Sequence, residues 1–554
     1  MNSFFSTPPS TNGSAADALF GDGRQLLGIV VGGSLSKGLD VRLDAGVSIE
    51  TVKVGQYMTV DGAQTRFFCV VSDLRLEESD QGLTAMPPDL SNPLMAEVLQ
   101  GTGTYGIAHL VPTLIYSSTL GNQPVRTVPP HFAKAYEATQ EELELIFGGE
   151  DAQHLWIGSP LDMEHTLIRL ELPKLVERSS GVFGKSGTGK TYLTRILMAG
   201  ILQKRAGVQL IFDMHNEYGW QGTTEGPWGH VKGLKQLFGS QVAVFTLDEA
   251  SSRQRQVPVD AVLEIGYSDL GPDDIKTSAE ALNLNDLQAD AAERLARRMG
   301  GSWLEEFMDL DGKEAMKDLA DSLSENESNL SALHRRLQSL RRLDFVKPHA
   351  RENAVQLILD YLERGKTVVL EFGRYRNNAL AQVLVANLLS RRIYDRWSER
   401  VEKALGDKSL EPPQLVITLE EAHKFLNPRM SGQTIFGTIA REMRKYNVTL
   451  LVVDQRPSMI DTEVLSQIGT KISCLLEDEN DVKAVLEGQS GTSELRGVLS
   501  RLESKQQALI FGHAVPMPVV IRTRDYGSPQ SYTDFGYREP AEVADDDRKS
   551  LFGP

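Results

Sequence analysis

Gly184-Lys185-Ser186-Gly187-Thr188-Gly189-Lys190-Thr191 is the stretch of this chain with the clearest chemistry. Its spacing is G-x-x-x-x-G-K-[ST], the pattern of a phosphate-binding loop. Gly184, Gly187 and Gly189 let the backbone bend so that successive N–H groups point at phosphate oxygens. Lys190 brings a mobile charge to the β- and γ-phosphates, and the Thr191 hydroxyl suits Mg²⁺ ligation. A helix starting here adds the positive end of its dipole. ATP and Mg²⁺ are the expected cofactors, with residues 184–191 as their cradle and Lys190 also catalytic.

Binding phosphate is not hydrolysis, which needs an acid at Mg²⁺ and a group that activates water. Leu415-Val-Ile-Thr-Leu-Glu420-Glu421-Ala-His423 is a hydrophobic strand ending in two carboxylates. Glu420 comes first and is expected near the Mg²⁺ waters; Glu421 is placed to orient the attacking water. His423 either relays the nucleotide state or caps local structure. A third cluster is Ile439-Ala-Arg441-Glu442-Met-Arg444-Lys445-Tyr446, followed by a strand and Gln455-Arg456-Pro457. An amide at that strand end can sense the γ-phosphate, which makes Gln455 the sensor. An arginine at a subunit boundary can stabilise transition-state charge in a neighbour's site. Arg444 is the first choice for this finger and Arg441 the second; a solvated basic helix face is the plainer reading. Asp213-Met-His215-Asn-Glu217-Tyr218 fits the ligand crevice at a sheet's carboxyl edge. Without a further ligand cluster it does not read as a transition-metal site.

These groups need a scaffold. Leu175–Phe183 reads as a buried strand before the loop, and 191–202 as a helix apolar on one face. Further apolar runs at 208–212, 242–246, 367–372, 415–419, 448–453, 472–476 and 507–511 predict strands buried on both faces. With helical patterns between them they make an α/β doubly wound sheet, a P-loop NTPase core of the RecA-like (ASCE) kind. From Leu26 to Val128 short strands at regular spacing predict a small N-terminal β-barrel with a structural or assembly role. Thr139-Gln-Glu-Glu142 is a capping box opening a short helix to Phe147. Between Pro258 and Gly365 the pattern is helical, with Leu330, Leu333, Leu337 and Leu340 at helix spacing. The expected organisation is a disordered leader 1–24, a barrel 25–150 and an ATPase core 151–257 and 366–525. An all-helical insertion 258–365 and a mobile or partner-docking tail 526–554 complete it.

Composition sets outer bounds. The 554 residues suffice for two or three domains. Two cysteines, Cys69 and Cys474, lie far apart in apolar company, which disfavours disulfides and fits a reducing compartment. The first residues lack the pattern of a secretory signal, and no apolar run reaches membrane-spanning length. A cytoplasmic protein without a membrane partner is expected. The net charge of −17 argues against general affinity for polyanions, while leaving room for a locally basic channel.

Taken together, these motifs resemble the HerA family of hexameric DNA translocases, relatives of the FtsK motors. The resemblance rests on the barrel with its Gly-Ile-Val-Val-Gly start, GKSGTGKT at 184–191 and DMHNEYG at 213–219. LEEAHKFL at 419–426, IAREMRKYNVTLLVVDQRP at 439–457 and the helical insertion complete it. It implies a homo-hexameric ring ATPase that pulls double-stranded DNA through a pore, working with a NurA-like nuclease in DNA end processing or with another effector in phage defence. Lys190 and Thr191 would bind nucleotide and Mg²⁺, Glu421 would activate water, and Arg444 would complete the adjacent subunit's site. The family usually has Asp-Glu-Ala-His where this chain has Glu420, and the extra methylene is expected to shift the Mg²⁺ waters and slow hydrolysis. DPHGEY becomes DMHNEY, and Met443 stands where glycine is more usual. An ATP-gated platform that assembles an effector nuclease without moving DNA is the alternative. A secretion or conjugation motor, lacking its own membrane segment, is a third. Pore contacts are expected from 220–230 or 427–432.

Overall fold

The computed structural model describes residues 24–79, 103–161, 163–223, 229–432, 434–488, 492–503 and 505–538. The leader up to residue 23, most of the acidic, Pro-containing interval 77–99 expected to be a loop with a short helix, the middle of the 220–230 loop and the tail beyond residue 538 lie outside the described residues. The chain divides into two compact units, one of residues 1–171 with 472–524, the other of 172–471 with 525–554. Residues 472–524, expected in the ATPase core, therefore group with the N-terminal unit. Folding along the sequence predicts neighbours poorly when a strand returns to an earlier part of the chain.

In the first unit, β1 (Leu26–Ser34), β2 (Gly38–Leu43), β3 (Tyr57–Asp61), β4 (Arg66–Glu78), β5 (Thr104–Ser117), β6 (Gly121–Gln123) and β7 (Lys134–Glu137) form one antiparallel sheet. Its order is β2-β1-β7-β3-β4-β5-β6, and pairing of β2 with β5 closes it into a barrel. In β2, Leu39, Val41 and Leu43 point inward while Asp40 and Arg42 are half-buried, the period-two pattern of a sheet with one covered face. Gly28 lies against the Arg42 carbonyl, where an added Cβ would sit 2.1 Å from the oxygen. A strand expected at 124–128 is absent; β7 follows instead, after Pro129 and Pro130. Proline lacks the N–H that a ladder needs, so pairing resumes only beyond it. The capping box forms as spelled, with reciprocal bonds between Thr139 and Glu142. Next come β8 (His154–Pro160) and β9 (Ile168–Glu171), which pair antiparallel in the order β22-β23-β8-β9 with β22 (Gln507–Gly512) and β23 (Val519–Thr523).

The second unit is built on a parallel sheet ordered β15-β14-β18-β11-β19-β20-β10. Its strands are β10 (Ser180–Phe183), β11 (Val208–Asp213), β14 (Val242–Thr246), β15 (Ala261–Val262), β18 (Thr367–Glu371), β19 (Leu415–Glu420) and β20 (Val448–Asp454). All but the two-residue edge strand β15 are buried at every position, because helices cover both faces. Two small pairs stand apart: the hairpin β12 (Gln221–Thr223) with β13 (His230–Lys232), and β16 (Ile265–Gly266) with β17 (Val346–Lys347). β21 (Thr470–Ser473) carries the chain toward the first unit's second segment.

Several sequence expectations change here. Residues Leu172–Glu177 are helical, so the strand before the loop is only Ser180–Phe183. Pro173 suits a first helical turn, and Leu172, Leu175 and Val176 are buried at helix spacing. The helix Lys190–Gln203 is buried from Leu193 through Leu202 rather than along one face. Finally, residues 526–537 fold instead of trailing as a tail. Tyr526, Tyr532 and Phe535 are buried, the Tyr526 hydroxyl donates to the Lys232 carbonyl at 2.8 Å, and Gln203 donates to the Asp534 carbonyl at 2.6 Å. Aromatic area outweighed the Gly/Ser content that suggested mobility. The 258–365 segment, expected to be all helical, also holds the two-residue strands β15, β16 and β17, while Leu330, Leu333, Leu337 and Leu340 are fully buried across the helix Glu327–Leu337 and the turn after it.

Candidate functional site

The chain turns sharply out of β10. Gly184, Gly187 and Gly189 have φ of +152°, +80° and +98°, values that side chains rarely adopt, so the glycine spacing is a backbone requirement. Lys185, Ser186 and Gly187 are exposed at the tip of the loop, and the helix begins at Lys190. Two bonds hold the loop from within: the Thr188 hydroxyl and the Lys190 ammonium both donate to the Lys185 carbonyl at 2.7 Å. Lys190 is thus folded over the loop that it serves.

Strand register decides what faces this loop. Phe183 pairs with Asp454, and Val453 pairs with Glu420. The loop at 184, the residue after β20 and the residue after β19 therefore leave the sheet at one level. Those residues are Gly184, Gln455 and Glu421. The level continues outward, because Leu419 pairs with Phe212 and Asp213 pairs with Glu371. Four adjacent parallel strands, β20, β19, β11 and β18, each end in a buried carboxylate: Asp454, Glu420, Asp213 and Glu371.

Each carboxylate has its own partners. Asp213 accepts the backbone N–H groups of Glu217 and Tyr218 at 2.8 Å and of Gly219 at 3.2 Å, which shapes the turn after β11. Asn216 in that turn has φ +58°, a left-handed conformation that asparagine tolerates and that glycine adopts freely. The Tyr218 hydroxyl donates to Glu420 Oε1 at 2.7 Å. Glu371 is ion-paired with Arg255. Asp454 accepts the His423 backbone N–H at 2.7 Å, His423 Nδ1 at 3.0 Å and the Arg456 N–H at 2.7 Å. His423 therefore ties the acidic strand end to the neighbouring strand.

Crowding Glu420, Glu371 and Asp213 together out of water shifts these three upward. Burial, then the charge of Asp213, pushes Glu420 up to about 8. Burial and Asp213 also push Glu371 up to about 7 against the pull of Arg255. Burial raises Asp213 too, against its three backbone donors. A cation brought to this edge would reverse the balance at Glu420. Its Oε2 is buried with no hydrogen-bond partner among the described residues. No group of three His, Cys, Asp or Glu side chains among the described residues is placed to hold a metal ion. A divalent cation here would draw the rest of its ligands from phosphate and water, which is the usual manner of Mg²⁺.

Glu421 follows with φ +46°, an uncommon conformation for a long side chain. Its Oε1 accepts the Gln455 side-chain amide at 2.6 Å. The fold thus gathers Gly184–Thr191, Glu420, Glu421 and Gln455 on one edge. Arg444 is not among them. It lies before β20 begins, half-exposed and ion-paired with Glu177, which precedes β10. That is the amino edge of the same strands, about 20 Å away by the rise of a seven-residue strand. Arg441 lies 3.6 Å from Glu463. His215 is exposed at the turn after β11. Sequence reading missed Asp454, Glu371 and the Tyr218 contact. The available signal was that each apolar strand is followed or closed by an acid.

A model of the central domain of helicase HerA matches residues 155–393. A DNA double-strand break repair helicase HerA of Pyrococcus furiosus is 24% identical over 417 residues, covering 71% of this chain and 72% of that protein. Its counterpart from Sulfurisphaera tokodaii is 27% identical over 413 residues, covering 70% and 71%. A probable helicase of Methanocaldococcus jannaschii is 22% identical over 520 residues, covering 90% of this chain and 91% of its own.

Proposed function

From the premise that the chain belongs to the HerA family and is a P-loop ATPase, we propose that it is an ATP-driven motor on double-stranded DNA, acting in DNA repair. It works as a closed homo-hexameric ring in the cytoplasm and feeds DNA ends to a partner nuclease. Among the described residues no helix is long and apolar enough to cross a membrane.

One observation carries the reading. The phosphate loop, Glu421 and Gln455 leave the sheet at one level, while Arg444 lies at the opposite edge. Lys190 and residues 184–191 bind the ATP phosphates. Glu421 orients the attacking water, and Gln455 holds Glu421 until a γ-phosphate is present to sense. Thr191, and Glu420 through water, would hold Mg²⁺, which supplies charge neutralisation at the β- and γ-oxygens. Glu420 meets that need with a buried oxygen that has no hydrogen-bond partner among the described residues. Arg444 reaches the site of an adjacent subunit, because its own lies a strand length away.

The net charge of −17 favours a second reading, an ATP-gated platform that assembles an effector nuclease in DNA repair or phage defence. Steady-state ATPase with and without linear duplex DNA separates the two. A motor accelerates several-fold with DNA; a platform ignores DNA and responds to the nuclease. A monomer that turns ATP over at full speed would overturn the ring in either form.

A further inference from the structure

Glu420 has one more torsion than an aspartate at the same strand end would have. A carboxylate on that longer arm keeps a defined direction only if something holds it. The Tyr218 hydroxyl does so, donating to Oε1 at 2.7 Å and leaving Oε2 buried without a partner among the described residues. The phenol is itself immobile. Tyr218 is fully buried, its backbone N–H is bound by Asp213 Oδ2 at 2.8 Å, and the Arg195 guanidinium of the phosphate-loop helix lies 5.8 Å from its ring centroid. Arg195 in turn donates to the Glu217 carbonyl at 3.1 Å, fixing the turn from the other side. A lysine or arginine in place of the phenol would compete with a divalent cation for Glu420. A neutral hydroxyl orients the carboxylate and leaves its charge available.

We propose that Tyr218 is a positioning residue of the ATPase, fixing which oxygen Glu420 turns toward the nucleotide-bound cation. This rests on the reading of Glu420 as the Mg²⁺-side acid and adds a residue from another strand end to it.

Tyr218→Phe in the full chain removes the hydroxyl and keeps the ring. Binding of a fluorescent non-hydrolysable ATP analogue, in Mg²⁺ and in EDTA, is the readout that does not depend on turnover. In Tyr218→Phe the affinity gained from Mg²⁺ is expected to fall about tenfold, the loss typical of an outer partner of a metal ligand. Affinity in EDTA and the melting temperature should stay near those of the parent. In a Glu420→Asp background the same substitution should change nothing, because the shorter carboxylate does not reach the hydroxyl. An unchanged Mg²⁺ gain in Tyr218→Phe, or an equal loss in the Glu420→Asp background, would overturn the inference and leave Tyr218 as core packing. Glu420→Ala keeps the two questions separate. If that variant retains the full affinity gain from Mg²⁺, Glu420 is not the cation-side acid and the reading beneath the inference fails; if it loses the gain, a negative result at Tyr218 counts against Tyr218 alone.

Discussion

Gln455 donates its side-chain amide to Glu421 Oε1 at 2.6 Å, so the group expected to sense the γ-phosphate and the group expected to activate water hold each other. They come from the ends of β20 and β19, which are adjacent and in register. The left-handed backbone at Glu421 turns that side chain along the sheet edge rather than away from it. Glu421→Gln preserves length and hydrogen-bonding capacity but removes the base. ATP turnover should fall by roughly 10²-fold or more while nucleotide affinity is kept, since a positioned base contributes on that scale. Single-turnover hydrolysis beside analogue binding checks it; retained turnover removes Glu421 from the role.

Lys190 gives the complementary result. Its ammonium bonds to the Lys185 carbonyl, a neutral acceptor that phosphate oxygens outcompete. Lys190→Ala should weaken analogue binding by about tenfold or more, with the melting temperature little changed. Isothermal titration of the full chain measures both binding and its enthalpy.

The sequence made the phosphate loop and the acid-tipped strand legible because both are local. Three glycines with a lysine, and an apolar run closed by Glu420-Glu421, state their chemistry in fewer than ten residues. The row of Asp454, Glu420, Asp213 and Glu371 was not legible as a row, because it depends on which strands are neighbours. β19 and β11 are adjacent although some two hundred residues separate Asp213 from Glu420. Tyr218 carries no local sign of its contact, since its partner is set by that same adjacency. The 526–537 segment misled for a different reason. Its Gly and Ser content resembles a linker, but Tyr526, Tyr532 and Phe535 find a surface only the folded unit provides.

The barrel contains a buried pair whose loss should be felt locally. Glu142 closes the capping box at Thr139 and also binds Arg66 at 2.5 Å, with both side chains out of water. Removing Glu142 leaves the buried Arg66 with Asp61, 2.9 Å from its Nε, and strips one hydrogen-bond partner from its buried guanidinium, at a cost of about 1–3 kcal/mol. Glu142→Ala should therefore speed amide exchange in β3 and β4. Exchange in the phosphate-loop helix should not change, because that helix belongs to the other compact unit and shares no partner with Glu142 among the described residues. Hydrogen exchange with mass spectrometry on the full chain resolves the two regions.

His423 supplies a pH dependence whose sign can be fixed. Its hydrogen bond to Asp454 raises the imidazole above its ordinary value of 6.5, with burial opposing. The protonated form is therefore favoured in the folded state. The stability it contributes is fully present below pH 6.5 and is lost as pH rises through the higher folded value. His423→Gln should cost more stability at pH 5.5 than at pH 9, where the parent histidine has also lost its charge. Thermal melts of both proteins across that range, with ¹³C-labelled histidine to follow the titration, check the direction. An imidazole titrating below its ordinary value would reverse it.

Arg444 offers the sharpest test of how subunits share a site. Within its own chain it pairs with Glu177 at the edge opposite the phosphate loop, and both side chains are half-exposed. A pair of that kind contributes only about 0–1 kcal/mol, so Arg444 can leave it for a neighbour's phosphate at little cost. Arg444→Ala and Lys190→Ala should each be inactive alone. Mixed before assembly, they form some seams in which an intact Lys190 meets an intact Arg444 from the other variant. At equal proportions about a quarter of seams meet that condition in a head-to-tail ring. ATPase activity should rise from near zero toward that fraction of the parent and pass through a maximum near equal mixing. No recovery at any ratio, in rings confirmed to contain both variants, would place Arg444 outside the reacting site.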